Sequence, residues 1–282
     1  PSRPARAPRP RRNRMTAADT GASLAPPRKP LSAQALDWVI WGGVALVLVF
    51  SFHAAEVQKF GALFAASDNM RQFATEFVRP NFNQIGDYVA KMWLTIQMAL
   101  WGTALAIIVA IPLGLAGAKN VAPPWLQFPV RRLLDALRAV PDLVVGSIFV
   151  AAVGLGPFAG VMAIAVNTGG VLGKLFAEAV ESIERGPVEG VRATGATPLH
   201  EIVWAVIPQV APLWTSYALY RFESSARSAT VLGLIGAGGI GQAMFDSINS
   251  YAFDQTSAIV IVIAVAVSGI DLLSQLIRGR LL

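Results

Sequence analysis

Three carboxylates, Glu178, Glu181 and Glu184, recur at every third residue, which places them on one face of a helix. Paired carboxylates can do general acid–base work. No nucleophile or metal-ligating set accompanies these three, so a solvated helical face is the plainer reading. Arg221, Glu223, Ser224 and Arg227 crowd a second short stretch. A guanidinium can grip an oxyanion through two parallel N–H groups, while Arg227 and Glu223 also have the spacing of a helical ion pair. Both readings stand. Gly236-x-Gly238-x-x-Gly241, with Gly239 inside it, fits the dinucleotide fingerprint letter by letter. That fingerprint needs a preceding strand and an acidic residue about 20 positions on, and the chain shows no alternation of strands and helices. What remains is close backbone approach through small residues, or an irregular segment beside a pathway. The one Gly-Lys pair, Gly173-Lys174, lacks the rest of a P-loop. With no cysteine and only His53 and His200, neither a disulfide framework, a zinc site nor any other metal or cofactor is expected.

The elements that must position these residues are written in the composition. Of 282 residues, 54% are hydrophobic and only 14% charged, against roughly 25% charged in soluble domains. Lipid is the natural solvent for that excess. The net charge of +6 is not a nucleic-acid footprint: residues 1–30 sum to +7 and everything after them to −1. A basic tail is expected there, disordered and cytoplasmic. No fold is assigned to residues 1–14, which precede Met15, and no cleavable signal peptide is read.

A span needs about 20 apolar residues. Six stretches qualify: Leu36 to Phe52, Met92 to Gly117, about Leu133 to Leu155, Phe158 to about Ala179, about Ile202 to Phe222, and Ala258 to Ile277. The third contains Arg138, Pro141 and Asp142, and its helix is expected to start in the interface. Lys119, Arg131, Arg132, Arg278 and Arg280 fall on the same side as the tail, so both termini are expected in the cytoplasm. The domains expected are 1–30, the tail; 31–90, the first span and an external segment; and 91–282, a five-helix core.

Between the fourth and fifth spans runs a polar segment. Gly186 suits a helix C′ position and Pro187 the first turn of the next helix. Gly195 ends that helix, and Thr197-Pro198 restarts the chain as N-cap and first helical residue. A short helix bracketed by breaks is built to present a surface.

Glu189, Gly195 six residues on, and Ile207-Pro208 resemble the signature loop of ABC-importer permeases; Gly190 and Val191 stand where two alanines are usual. Tyr220 to Glu223, Arg227 to Gly233, Gly236 to Gly241, Pro141-Asp142, Gly173 to Glu178 and Asp271 to Ser274 resemble the phosphonate-importer branch, though Ser225-Ala226 replaces a frequent Asn-Val. The similarity covers roughly residues 85 to 282, and methionine permeases share the glycine-rich segment.

The resemblance implies an all-α, polytopic, type I ABC-importer permease fold with six spans and a coupling loop at 184–208. It implies ATPase coupling through Glu189, Gly190, Val191, Arg192, Gly195 and Pro208. The pathway candidates are Arg221, Glu223, Ser224, Arg227, Gly236, Gly238 and Gly239. The implied partners are an ATP-binding subunit dimer, a second permease subunit in a homodimer, an external substrate-binding protein and the lipid bilayer, with no nucleic acid. The chain itself is then not an enzyme, and its cargo is a phosphonate or related oxyanion in the bacterial inner membrane. A methionine or phosphate permease and an ion-driven secondary transporter are the rivals, with a nucleotide-using membrane enzyme behind them.

Overall fold

A computed structural model describes residues 31–61 and 67–281, and among these every regular element is helical. The basic tail, residues 1–30, lies outside the described residues. The chain divides between Ser67 and Asp68 into two units. The first holds α1 (Leu31–Ala54) and a 3₁₀ turn (Val57–Gly61). From Trp38 to Phe50 α1 is apolar on every face, as a lipid-facing span must be.

The second unit opens within α2 (Ser67–Phe77), an amphipathic helix not foreseen in the sequence, whose first residue is the last of the first unit. Its Phe73 stacks on Phe77 and meets Phe253 edge-on at 4.8 Å. Five long helices or broken helices follow. They are α3 (Ile85–Gly117); α4 (Pro124–Ala139) with α5 (Asp142–Val153); α6 (Pro157–Glu181); α8 (Pro198–Glu201) running through a π turn (Ile202–Val206) into α9 (Ile207–Leu232); and α11 (Phe253–Leu281). Two short helices, α7 (Arg185–Ala193) and α10 (Gly239–Asn249), lie between them. With α1, five single helices among the described residues are long and apolar enough to cross a membrane, and α4 with α5 makes a sixth bent by 90°.

That bend is where the sequence places Pro141. Val140 before it is forced into an extended conformation (φ −88°, ψ 125°), so the helix breaks and α5 restarts beyond the proline. Contacts show that the pair is a broken span and does not double back. Arg131 meets Glu181, Leu134 lies over Gly173, Leu137 over Gly170, Val140 against Asn167, and Gly146 beside Ala163. The partner on α6 advances steadily from one end to the other.

The core is the parallel pair α3 and α6. Where they cross, a Cβ on Gly102 would stand 2.6 Å from Ile164, and one on Gly114 2.6 Å from Phe176. Both glycines let the axes approach as only small residues can. Buried Ala99, Ala106, Ala110 and Ala163 continue the seam. α9 lies antiparallel across it, with Trp214 stacked on Phe176 at 4.6 Å and its indole N–H donating to the Phe176 carbonyl at 3.3 Å. The far end of α3 (Tyr88, Met92) packs with Ile240 and Ala243 of α10 and with Ala258 and Ile259 of α11.

Charges explain why the apolar runs understate the helices. α3 begins at Ile85, not Met92, because Asp87 and Lys91 pair at 2.8 Å one turn apart. α9 continues past Phe222 to Leu232 because its charges find partners. α11 starts at Phe253, tied down by Asn81, whose side chain donates to Asp254 at 2.9 Å while its backbone N–H donates to the Asp254 carbonyl.

Candidate functional site

At one end of the bundle the chain leaves α6 and forms α7. α7 starts at Arg185, so Gly186 lies inside it and is not the C′ residue of α6; Ser182 caps α6 instead. Pro187 sits in the first turn as its missing N–H allows. No residue of α7 is buried: Glu189, Gly190 and Arg192 are exposed and Val191 half-exposed. Gly195 ends the segment at φ +79° with its N–H donating to the Arg192 carbonyl. Thr197 and Pro198 then open α8, though the Thr197 hydroxyl meets the His200 ring at 2.7 Å and not a backbone N–H.

Two clips hold this exposed helix to the bundle. The Arg192 guanidinium grips both oxygens of Glu201 at 2.9 and 2.8 Å, and that carboxylate raises the arginine's pKa further. The Gln209 side chain accepts from the Glu184 N–H at 3.1 Å and donates to the Ala205 carbonyl at 2.7 Å. Pro208 follows the π turn, whose wider i→i+5 loop makes room for the proline ring. Beneath α7 lies a cavity of ≈ 690 Å³ lined by Glu181, Val188, Arg192, Glu201 and Val206 among others. The three glutamates do not form one solvated face. Glu181 binds Arg131 and accepts from the Lys119 N–H at 2.7 Å, closing the α3–α4 turn.

Deeper in the bundle the polar residues of α9 fall into two groups. In the first, Glu223 pairs with Arg227 at 3.0 Å and, through its other oxygen, with Arg278 at 3.2 Å; Arg227 also reaches Asp271 at 3.3 Å. Two acids and two arginines close a neutral network that ties α9 to α11. In the second group, Arg221 donates to the Thr168 hydroxyl at 3.2 Å, and Thr168 meets Ser225 at 3.3 Å. Nearby, Ser228 donates to Asp142 at 2.6 Å, and the Asn167 side chain donates to the Val140 carbonyl at 2.9 Å. The two arginines that the sequence left equivalent are therefore different: Arg227 is paired twice, and Arg221 not at all among the described residues. Ser224 is half-buried and belongs to neither group.

The glycine-rich segment joins α9 to α10 as a tight corner. A helix precedes it, so the strand of a dinucleotide site is missing. Gly236, Gly238 and Gly239 all have positive φ, which L side chains rarely adopt. The corner is fixed by the Gly156 N–H donating to the Gly236 carbonyl at 3.0 Å and by the Ile240 N–H donating to the Thr95 hydroxyl at 2.9 Å. Gly239 and Gly241 are buried; Gly236 and Gly238 are half-buried.

Residues 102–281 match the family described as binding-protein-dependent transport system inner membrane component. The phosphite transport system permease protein PtxC of Stutzerimonas stutzeri is 41% identical over 206 residues, which cover 73% of this chain and 75% of that one. The putative cryptic phosphonate transport system permease protein PhnE2 of Escherichia coli (strain K12) is 56% identical over 117 residues, 42% of this chain and 96% of that one. Among solved structures, one of the inward-facing MetNI methionine ABC transporter superposes with a TM-score of 0.63 at 18% identity, covering 72% of this chain and 99% of that one. At that identity the likeness is one of fold.

Proposed function

The chain belongs to the family of binding-protein-dependent transport system inner membrane components, and we propose that it moves a small phosphorus oxyanion, a phosphonate, phosphite or phosphate, across that membrane as the permease of an ATP-driven importer. Relatives named for phosphite and for phosphonate transport support this cargo class, since both ligands present a tetrahedral phosphorus with anionic oxygens. The observation that carries the mechanism is α7: a helix with no buried residue, closed by a left-handed glycine and clipped to α8 by Arg192. Such a surface fits a docking element for an ATPase subunit.

The basic residues at the α7 end, among them Lys119, Arg131, Arg132, Arg185, Arg278 and Arg280, support placing that end and both termini in the cytoplasm. A dimer of ATP-binding subunits then sits beneath, a second copy of this chain beside it, and a substrate-binding protein outside. Closure of the ATPases pulls on α7. The pull passes through Arg192–Glu201 and the π turn into α9, and the paired permeases alternate access.

The cargo test is uptake by the complete complex in sealed vesicles, offered labelled phosphite, methylphosphonate, phosphate and D-methionine. Uptake of at least one phosphorus oxyanion, abolished by ATP depletion with the ion gradient held, is expected. Import of methionine alone overturns the cargo, and uptake that survives ATP depletion overturns the ATP-driven mechanism.

Coupling has its own test in Gly195→Val. A Cβ at Gly195 meets nothing within 4 Å, so the substitution acts only through the backbone. A branched residue at φ +79° costs about 1–3 kcal/mol, enough to shift the loop about 5- to 150-fold away from its docking shape. ATP-dependent uptake should fall at least about 5-fold on that basis, with the amount of permease in the membrane unchanged. Wild-type uptake would remove α7 from the coupling path.

A further inference from the structure

Charged side chains inside a span are paired, reach the interface, or face a ligand path. Lys91, Arg131, Arg138, Lys174, Arg227 and Arg278 each have a carboxylate within ion-pair distance. Arg221 has none among the described residues. It lies fourteen residues after Ile207 and eleven before Leu232, so at ~1.5 Å of rise per residue neither end of α9 is within its reach. Its Nη2 has the single hydrogen bond to Thr168, and its Nε is buried without an acceptor. A donor left so in a low-dielectric setting costs free energy, and the cost falls when an anion arrives.

Two further donors stand beside it, both buried in this state of the bundle. Thr168 and Ser225 bring two hydroxyls together at 3.3 Å beside the guanidinium, and each can donate to an oxyanion. Asp142, across the α4–α5 elbow, acts on Arg221 through space but is held by Ser228 at 2.6 Å. Its negative charge offsets the arginine and weakens the hold on an incoming anion. A conducting site needs that balance, because cargo must leave as readily as it enters.

We propose that Arg221, Thr168 and Ser225 form an oxyanion site within the span, where the phosphorus head of the cargo rests during passage. The proposal rests on the cargo class inferred above. The guanidinium binds two oxygens of the head group through its two-pronged edge, and the hydroxyls take a third. The Glu223–Arg227–Asp271–Arg278 network, on the α11 side of α9, is charge-balanced and takes no part in the site.

The experiment uses the complete complex in proteoliposomes and reads assembly, ATPase rate and uptake of phosphite and methylphosphonate together. Arg221→Gln keeps a polar side chain but removes the charge. It should lower uptake about 10-fold or more, with assembly and ATP hydrolysis within about twofold of wild type. Arg221→Lys keeps the charge and loses the fork, so its uptake should fall between the two. Thr168→Val removes one hydroxyl at constant shape and should lower uptake about threefold. Uptake within twofold of wild type for both Arg221→Gln and Thr168→Val overturns the site. So does failure of Arg221→Gln to assemble while Arg221→Lys and Thr168→Val transport normally, since the arginine is then structural. A wild-type complex that imports no phosphorus oxyanion instead overturns the cargo class, and is separated from the other outcomes by the wild-type measurement alone.

Discussion

Replacing Gly241 with alanine is expected to abolish recovery of folded protein. The residue opens α10 in a helical conformation, where alanine ordinarily stabilises by about 0.5–1 kcal/mol relative to glycine. Here the sign reverses. A Cβ would fall on the Thr230 carbonyl oxygen, 2.9 Å from its carbon and 3.1 Å from the Gly233 Cα. All three are backbone atoms, so no rotamer change relieves the clash. Gly233 faces the same junction from the other side, its own Cβ position 2.6 Å from the Gln242 nitrogen and 2.7 Å from the Gly241 Cα. Overpacking costs about 1–3 kcal/mol where side chains can move, and this junction must exceed that. Extraction in mild detergent followed by size exclusion and thermal unfolding gives the measurement. Gly269→Ala is the control, because a Cβ there meets nothing within 4 Å, and it should leave Tm unchanged. If Gly241→Ala unfolds within 2 °C of wild type, at the resolution expected for about 1 kcal/mol, the close approach of α9 and α10 is wrong.

The second large effect is expected from Glu223→Ala. Glu223 is 13% exposed and serves Arg227 with one oxygen and Arg278 with the other. Its removal leaves, among the described residues, Arg278 with no carboxylate and Arg227 with Asp271 alone. Breaking a buried pair costs about 3–5 kcal/mol, and because the two arginines are more exposed than the glutamate the loss should lie toward the lower end of that range. Yield and Tm should both drop. The diagnostic is the double variant Glu223→Ala with Arg278→Leu, which restores neutrality with Arg227 and Asp271 still paired. It should be more stable than the single variant. Additive losses would show that the four groups do not act as a unit.

Much of this arrangement was legible in the sequence, and the limits have physical reasons. The six apolar stretches and the turn at Gly195 follow from local rules and are found, the helices longer than the apolar runs; the break at Pro141, inside a stretch read as one span, was not foreseen although the proline was in plain view. Helices α2 and α10 were missed. The first is a mixed polar segment stabilised by Phe73 against Phe253, a contact 180 residues away in sequence. The second was hidden because Gly239 and Gly241 read as irregular chain, whereas Ile240 packs into the core and donates its N–H to the Thr95 hydroxyl at the start of a helix. The Arg227–Glu223 pair could be read from its four-residue spacing. Arg278 and Asp271 could not, since nothing on α9 announces which residues of α11 lie opposite. Arg221 and Arg227 differ through Glu223, one turn from Arg227 on the same helix, and through Asp271, which only the fold brings near.

The neutral network between α9 and α11 also bears on the order in which the chain is made. α9 leaves the ribosome with Arg221, Glu223 and Arg227, a surplus of one positive charge. Each unmatched charge at the bilayer centre opposes insertion by about 2.5–3.5 kcal/mol. Asp271, the acid that takes up the second hand of Arg227, is synthesised 44 residues later. Glu223 and Arg227 can pair within α9, so the surplus is Arg221, and α9 does best at the insertion machinery or against α6, where Thr168 meets Arg221. α11 is apolar enough to enter unaided, and on arrival it supplies both Asp271 and Arg278. The last two spans thus settle into the membrane as a unit, and the final helix completes the one before it.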